Sequence, residues 1–522
     1  MSRTIEIFGV PKTMSEDKVL AKFSRFGEIK RITTISHSKG HYSIEFENSN
    51  QAKDACEYDC IQMDVLTIRV YLKVHDKLKT ISNYSWSLFS LKQILIILLV
   101  AIISFLTHIP NLEFPNEVCF DEVHFGGFIT DYINKVRFFD IHPPLTKLLY
   151  AKYAKMVGYN GDFNFSAVND GDPATYTSDF YVKLRYLPAT CGMLVAPILT
   201  ASCILRFQNL PVSFMVGVLF ALDFTSITQS RFILTDAIVY FFVSMTIFFS
   251  CLLYHRESWT VIFFQILFGS AAFCSKFAAG SCLILVGFSN FNLCIRRKFG
   301  FVALVIRGIF CVSVLIAMLF GTIYLHLKLT PIVGFGDQYA APDFRSLPML
   351  KQIIEMLRLM YVYNRDLEFT HPYSSKWYEW PIFAATPTLI YSNSMFTRII
   401  CIFNNPVSAF VSCVGGILAV FVWKYEWTLS YLFSYLPFIL VTRVTWTYHY
   451  EVALMFGICC YAFVLGKLSK PMMYCLTCLT IVLAIAAFAY YMPWLYGLQL
   501  SLKQIAQRTI WTRTRKLWGF EK

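Results

Sequence analysis

A series of helix-length apolar runs constrains this chain more than any other feature. The runs lie at about 93–109, 186–205, 210–228, 232–254, 259–274, 277–294, 301–325, 405–423, 427–442, 448–466 and 472–491. A bilayer core needs about 20 apolar residues per helix, so the series predicts about eleven membrane spans. Only 15% of the residues are charged and 56% are hydrophobic, whereas a soluble domain carries roughly a quarter charged residues. That excludes an ordinary soluble enzyme. Abundant Phe, Leu and Ile without a short repeat also exclude disorder, collagen and coiled coil. A polytopic α-helical membrane protein remains, with a small appendage ahead of the first run.

Charge orients the spans. Of the net +13, residues 1–92 hold 14 basic and 11 acidic side chains, and residues 503–522 hold six basic and one acidic. One set of short turns carries Arg206, Arg256, Arg296, Arg297, Lys298, Lys424, Lys467 and Lys470, and the opposite set carries Arg231, Lys276 and Arg443. Basic residues favour the cytosolic side, which places the first set and the N-terminus there. Two long loops, about 110–184 and 326–404, then face the other side. The basic tail lands with them, against the rule. The 16 cysteines sit mostly in apolar runs, and Cys475 and Cys478 read as small packed residues rather than a metal or redox pair.

Residues 1–76 alternate differently. Period-two patterns predict strands at about 4–10, 28–35, 40–47 and 66–72, with helices at Asp17–Phe26 and Asn50–Cys60. This βαββαβ order resembles an RNA-recognition-motif domain. Ile5-Glu6-Ile7-Phe8-Gly9-Val10 occupies the place of its first-strand motif, and Lys39-Gly40-His41-Tyr42-Ser43-Ile44-Glu45-Phe46 that of its third-strand octamer. Such sheets stack bases on aromatics, yet the stacking positions here hold Glu6, His41 and Ser43. Poor RNA binding is expected, with weak contacts from Lys30, Arg31 and Lys39. A linker at 77–92 leads to the membrane part, 93–522.

Long loops between tight spans tend to carry function. The first holds the adjacent carboxylates Asp121 and Glu122. Arg185, Arg231, Lys276 and Arg443 sit at the non-cytosolic ends of different spans, where positive charge is disfavoured. Convergence of cations beside a carboxylate pair at the membrane surface suits a lipid-phosphate substrate and acid–base chemistry. Separate snorkelling of each cation is the alternative.

Seven stretches carry a resemblance to a known family. They are Phe120-Asp121-Glu122-Val123-His124-Phe125-Gly126; Phe139-Asp140-Ile141-His142-Pro143-Pro144-Leu145; Ser230-Arg231-Phe232-Ile233-Leu234-Thr235-Asp236; Ser275-Lys276 before Gly280; His371-Pro372-Tyr373-Ser374-Ser375-Lys376-Trp377-Tyr378-Glu379-Trp380-Pro381; Arg443 with Tyr448-His449-Tyr450; and Arg185 opening the second span. From about 93 to 520 the chain resembles the protein O-mannosyltransferases, membrane glycosyltransferases of GT-C class. The resemblance implies an endoplasmic-reticulum protein that moves mannose from dolichyl phosphate mannose to Ser/Thr hydroxyls of secretory-pathway polypeptides in the lumen. It implies a homo- or heterodimer. It departs from the family in two places. Only about 45 residues separate Leu325 from His371, too few for the family's MIR domain, and His108 stands where an arginine is usual.

The resemblance assigns roles. Asp121 would be the base and Glu122 a positioning group. Arg185, Lys276 and Arg443 would hold the donor phosphate, with His142, Arg231, Asp236 and His449 in support. No Cys/His cluster has metal-ligand spacing, so no tightly bound metal is expected. Two alternatives stay open: another GT-C lipid-phosphate-sugar transferase, and a non-catalytic partner subunit. A transporter would need charges at mid-membrane depth, for which Asp223 and Arg307 are the main candidates.

Overall fold

The computed structural model describes residues 3–8, 10, 15–36, 40–57, 60–63, 66–72, 88–166, 168–169, 172–366, 370–422 and 425–521. Gly9, Lys39, Lys424 and the 77–87 part of the expected linker lie outside the described residues. The chain forms two compact units, one of residues 1–89 with 291–304, the other of 90–290 with 305–522.

In the N-terminal unit, β1 (Thr4–Phe8), α1 (Glu16–Phe23), β2 (Ile29–Ser36), β3 (His41–Phe46), α2 (Ser49–Glu57), β4 (Cys60–Met63) and β5 (Leu66–Leu72) follow in order. The sheet is antiparallel, with strand order β2-β3-β1-β5-β4. Alternation along β1 and β3 sends Ile5, Ile7, Tyr42, Ile44 and Phe46 into one core with Val19 and Phe23 of α1. β4 is an addition to the predicted order. The second helix stops at Glu57, and Cys60-Ile61-Gln62-Met63 pairs with β5 as a hairpin, Met63 opposite Leu66. Backbone partners three to nine residues further on, Leu66 for Met63 and Arg69 for Cys60, outcompete continuation of the helix. On the opposite sheet face, the His41 ring is hydrogen-bonded to the Glu6 carboxylate at 3.0 Å, so two of the three expected stacking positions are engaged with each other.

In the membrane unit each of the eleven apolar runs is helical over most of its described length. α3 (Leu91–His108) is followed by α4 (Glu122–Ile133) and α5 (Leu145–Met156) of the first long loop. Then come α6 (Phe180–Phe207), α7 (Leu210–Ala221), α8 (Phe224–Ser230), α9 (Asp236–His255), α10 (Trp259–Phe273), α11 (Ser281–Arg296) and α12 (Phe301–Leu329). The second long loop contains α13 (Met349–Arg365) and a hairpin of Thr388–Ser392 with Ile399–Ile402. α14 (Pro406–Phe421), α15 (Tyr425–Tyr435), α16 (Glu451–Leu465), α17 (Lys470–Tyr496), α18 (Leu502–Arg508) and α19 (Thr512–Leu517) complete the chain.

Among the described residues seven helices are long and apolar enough to cross a membrane, and α7 with α8 passes as one span bent by 49°. The bend has a cause in the sequence. Asp223 accepts a 2.9 Å bond from the Ser226 amide, an N-cap that starts a new helix inside the apolar run. The run at 427–442 likewise ends early as helix, with Pro437 in a 3-10 turn at Leu436–Ile439.

α16 is buried on all sides, as a helix apolar all round must be. It meets α14 closely because Gly415 faces the Gly457 carbonyl, where an added Cβ would stand 2.4 Å away. α12 instead exposes Ile309, Ile316 and Leu325, a lipid-facing surface. Cys475 and Cys478 correct the expectation of packed residues: both are exposed on α17, whose outer side carries Leu479, Val482 and Leu483. Arg307 pairs with Glu257 at 2.9 Å and lies over Trp259, so it is not a lone charge in the membrane.

Candidate functional site

The adjacent carboxylates Asp121 and Glu122 have opposite fates. Phe120 adopts the left-handed region, φ 52°, and turns the chain into α4 with Asp121 as its first cap. Glu122 is fully buried and saturated. Its Oε1 accepts from Arg185 Nε at 2.9 Å and the Ile233 amide at 2.8 Å. Its Oε2 accepts from an Arg185 terminal nitrogen at 2.8 Å, and from the Tyr176 hydroxyl and the Cys119 amide, both at 3.1 Å. Asp121 is half-buried, and its carboxylate has no hydrogen-bond or ion-pair partner among the described residues. Burial pushes its pKa up to about 6, a rise that Asp236 and Asp140 reinforce and His124 and Lys276 oppose. A carboxylate so placed is ionised at neutral pH yet more basic than in water.

The four cations separate into two pairs. Arg185 is completely buried, and beyond Glu122 its nitrogens donate to the carbonyls of Leu112 (3.0 Å), Pro115 (2.7 Å) and Glu117 (3.4 Å). All five donors are used, so the guanidinium has none left for a phosphate. Arg231, also buried, donates to the carbonyls of Pro110 and Asn111 at 2.6 Å each and packs over Tyr496. Both arginines thus pin the loop between α3 and α4. The structure does not bring them together with the other two. Carbonyls left over at a helix end need donors when water is excluded, and arginine supplies several at once.

Lys276 acts on Asp121, and Lys276 and Arg443 both gather around Tyr448, which also lies in the field of Asp121. Lys276, just after α10, forms a 2.7 Å ion pair with Asp236, the first residue of α9, and lies 5.2 Å from the Tyr448 ring centre. Tyr448 in turn meets Phe120 edge-on at 6.4 Å. Arg443 has no hydrogen bond or ion pair among the described residues, and burial lowers its pKa. His142 stands within the field of both cations. Burial first, then Lys276, Lys147 and Arg443, lower its pKa to about 3 against the pull of Asp140. Its imidazole is therefore neutral, with a buried Nδ1 that lacks a partner among the described residues. His449 accepts the Trp446 amide at 3.0 Å and stacks beside Tyr448.

Three participants were not singled out from sequence. His124 acts on Asp121 from one helical turn away, a spacing that was readable. Lys147 is buried, pairs with Asp140 and donates to the His142 carbonyl at 2.9 Å, which fixes that histidine's backbone. Tyr176, distant in sequence, left no signal. His108, at the arginine's usual place, is buried and bonds to the Ser104 carbonyl at 2.9 Å and to Ser226 at 3.3 Å. No group of three His, Cys, Asp or Glu side chains is arranged for a metal among the described residues.

A bundle with seven helices long and apolar enough to cross a membrane and two long loops defines a polytopic helical membrane protein. Residues 98–332 match the family model described as dolichyl-phosphate-mannose-protein mannosyltransferase, and residues 421–514 match the C-terminal four-helix region of protein-O-mannosyltransferase. The chain belongs to the protein O-mannosyltransferase family. Residues 5–65 match the RNA recognition motif.

Among curated relatives, dolichyl-phosphate-mannose–protein mannosyltransferase 1 of Saccharomyces cerevisiae is 30% identical over 270 residues, 49% of this chain and 33% of the relative. Protein O-mannosyltransferase 1 of Drosophila melanogaster is 27% identical over 282 residues, 51% and 30%. The matched region thus spans about a third of each relative's length. One partner of the S. cerevisiae Pmt1–Pmt2 complex, solved bound to the sugar donor, has the same fold, with a TM-score of 0.74 at 16% identity over 87% of this chain and 96% of that one.

Proposed function

We propose that this chain transfers mannose from dolichyl phosphate mannose to Ser and Thr hydroxyls of polypeptides in the endoplasmic-reticulum lumen. The single observation that carries the reading is the partly accessible Asp121 carboxylate, without a partner among the described residues, in the field of Lys276 and sharing Tyr448 with Arg443, while its neighbour Glu122 is wholly bound. In an inverting single displacement, the acceptor oxygen attacks C1 of mannose as Asp121 takes its proton. The C1–O bond to phosphate breaks, and the dolichyl phosphate leaves with its charge held by Lys276 and Arg443. Neutral His142 offers one nitrogen to a substrate hydroxyl. Glu122, Arg185 and Arg231 fix the loop that aims Asp121, so Arg185 serves as a positioning residue rather than a phosphate ligand.

Eleven crossings, with residues 1–76 and the first set of basic turns in the cytosol, put both long loops on the luminal side. Pairing with another family member completes the reading, and the N-terminal domain has no part in transfer. Purified protein in detergent, given radiolabelled dolichyl phosphate mannose and a Ser/Thr peptide, with and without a co-purified partner, tests it. Label in the peptide is expected, and its absence in every combination would contradict the reading.

A further inference from the structure

The basic tail is the part of the charge pattern that transfer leaves unexplained. It folds back onto the second long loop. Trp511 donates to the Phe383 carbonyl at 2.9 Å, Trp518 to the Tyr373 hydroxyl at 3.0 Å, and Arg513 to the Ser374 carbonyl at 2.9 Å. Ile505 and Trp511 join an apolar cluster with Ile399 and Phe403. The tail is therefore an ordered wall.

That wall closes a cavity of about 490 Å³. Its floor is the junction of two segments, where the Ser375 amide donates to the Thr445 carbonyl at 2.9 Å and the Thr445 hydroxyl to the Ser375 carbonyl at 2.6 Å. Arg443, Lys376, Arg513 and His371 surround it, and none of the eleven described lining residues is acidic. Lys376 and Arg513, both exposed to water, supply two permanent positive charges to one polar cavity that Arg443, the donor-phosphate residue, also borders, which makes an anion-binding site. His371 packs at 4.6 Å on Trp446, which meets Phe120 at 6.1 Å, the residue before Asp121. One aromatic ring, Trp446, thus links the cavity lining to the residue beside the base.

We propose that this cavity binds an acidic side chain of the acceptor polypeptide, and so selects Ser and Thr residues with Asp or Glu nearby; this rests on the transferase reading. The two ring contacts, 4.6 and 6.1 Å, bound the path from His371 in the cavity lining to Phe120 beside the base at about three residues of extended chain, ~3.4 Å each. The favoured acid therefore lies two to four positions from the acceptor. The donor phosphate fits the cavity less well. Its isoprenoid chain stays in the bilayer beside the span ends that carry Lys276 and Arg443, whereas Lys376 and Arg513 sit on water-exposed loop and tail. A polypeptide arrives from that side.

The test uses the full-length protein, dolichyl phosphate mannose and three peptides that differ only in Asp, Ala or Lys three positions from one Thr. Wild type should show the lowest KM for the Asp peptide and the highest for Lys, a spread of roughly three- to tenfold for a partly exposed charge contact. R513E and K376E should each narrow the spread, and the double variant R513E/K376E should reverse the order in favour of the Lys peptide, a gain that misfolding cannot imitate. Equal KM values for all three peptides with wild type would overturn the proposal and leave the transferase reading intact. So would a charge reversal that raises the donor KM for every peptide without altering their order, which would assign the cavity to the phosphate. Failure of every form to label any peptide overturns both.

Discussion

Replacing Arg185 by alanine should unfold the site without touching the donor. Both side chains of the Arg185–Glu122 pair are fully buried, so no solvent screening reduces the loss. The change removes two of five bonds to the carboxylate and strips donors from the carbonyls of Leu112, Pro115 and Glu117. Breaking a buried pair on one side costs about 3–5 kcal/mol, because the remaining charge is left uncompensated. That is a large share of the roughly 5–15 kcal/mol that holds a typical domain. Lysine should rescue little, since a point charge cannot span both oxygens and the loop carbonyls. Glu122→Gln combined with Arg185→Met should lose less than the sum of the single changes. Thermal unfolding in detergent, followed by tryptophan fluorescence, reads the loss. Binding of dolichyl phosphate at low temperature reads any direct role. An Arg185→Ala protein as heat-stable as wild type but deaf to dolichyl phosphate would refute the reasoning and return Arg185 to the phosphate.

Three further outcomes are expected. Asp121 must be ionised to accept a proton, and burial raises its pKa to about 6, so kcat/KM should be flat at neutral pH and fall about tenfold per unit once pH drops below that value; a profile unchanged down to pH 5 would exclude it. Lys276→Ala and Arg443→Ala should each weaken dolichyl phosphate binding by roughly ten- to a hundredfold, the worth of a charge-assisted contact, as measured by competition with labelled donor. The protein should bind single-stranded RNA only weakly and lose it at moderate salt, because the Glu6–His41 pair replaces stacks worth about 1–3 kcal/mol each; deletion of residues 1–76 should leave transfer intact, and loss of transfer in correctly inserted protein would oppose that.

Helices were legible because an apolar environment forces backbone groups to bond within each segment, so run length reports structure directly. Interruptions were less legible. Asp223 caps a helix inside an apolar run, and β4 arises from a hairpin partner rather than from its own pattern. At the site, sequence placed Asp121, Glu122, Lys276 and Arg443 on one side through charge statistics and motif resemblance. It offered no means to tell a cation that faces substrate from one that ties off carbonyls. Arg185 and Arg231 lie at span ends like Lys276 and Arg443, and only the geometry of Leu112, Pro115, Pro110 and Asn111 distinguishes them. The exposure of Cys475 and Cys478 was hidden for a similar reason: an apolar helix reads alike whether it faces protein or lipid.

Single-turnover transfer by Asp121→Asn protein tests the central claim most directly. The substitution keeps size and polarity and removes only basicity, and among the described residues Asp121 makes no side-chain bond whose loss would disturb the fold. With bound, radiolabelled dolichyl phosphate mannose and saturating peptide, the mutant should retain donor affinity while its transfer rate falls at least about a hundredfold, the range of a lost general base. A mutant that turns over within a few-fold of wild type would show that another group accepts the proton.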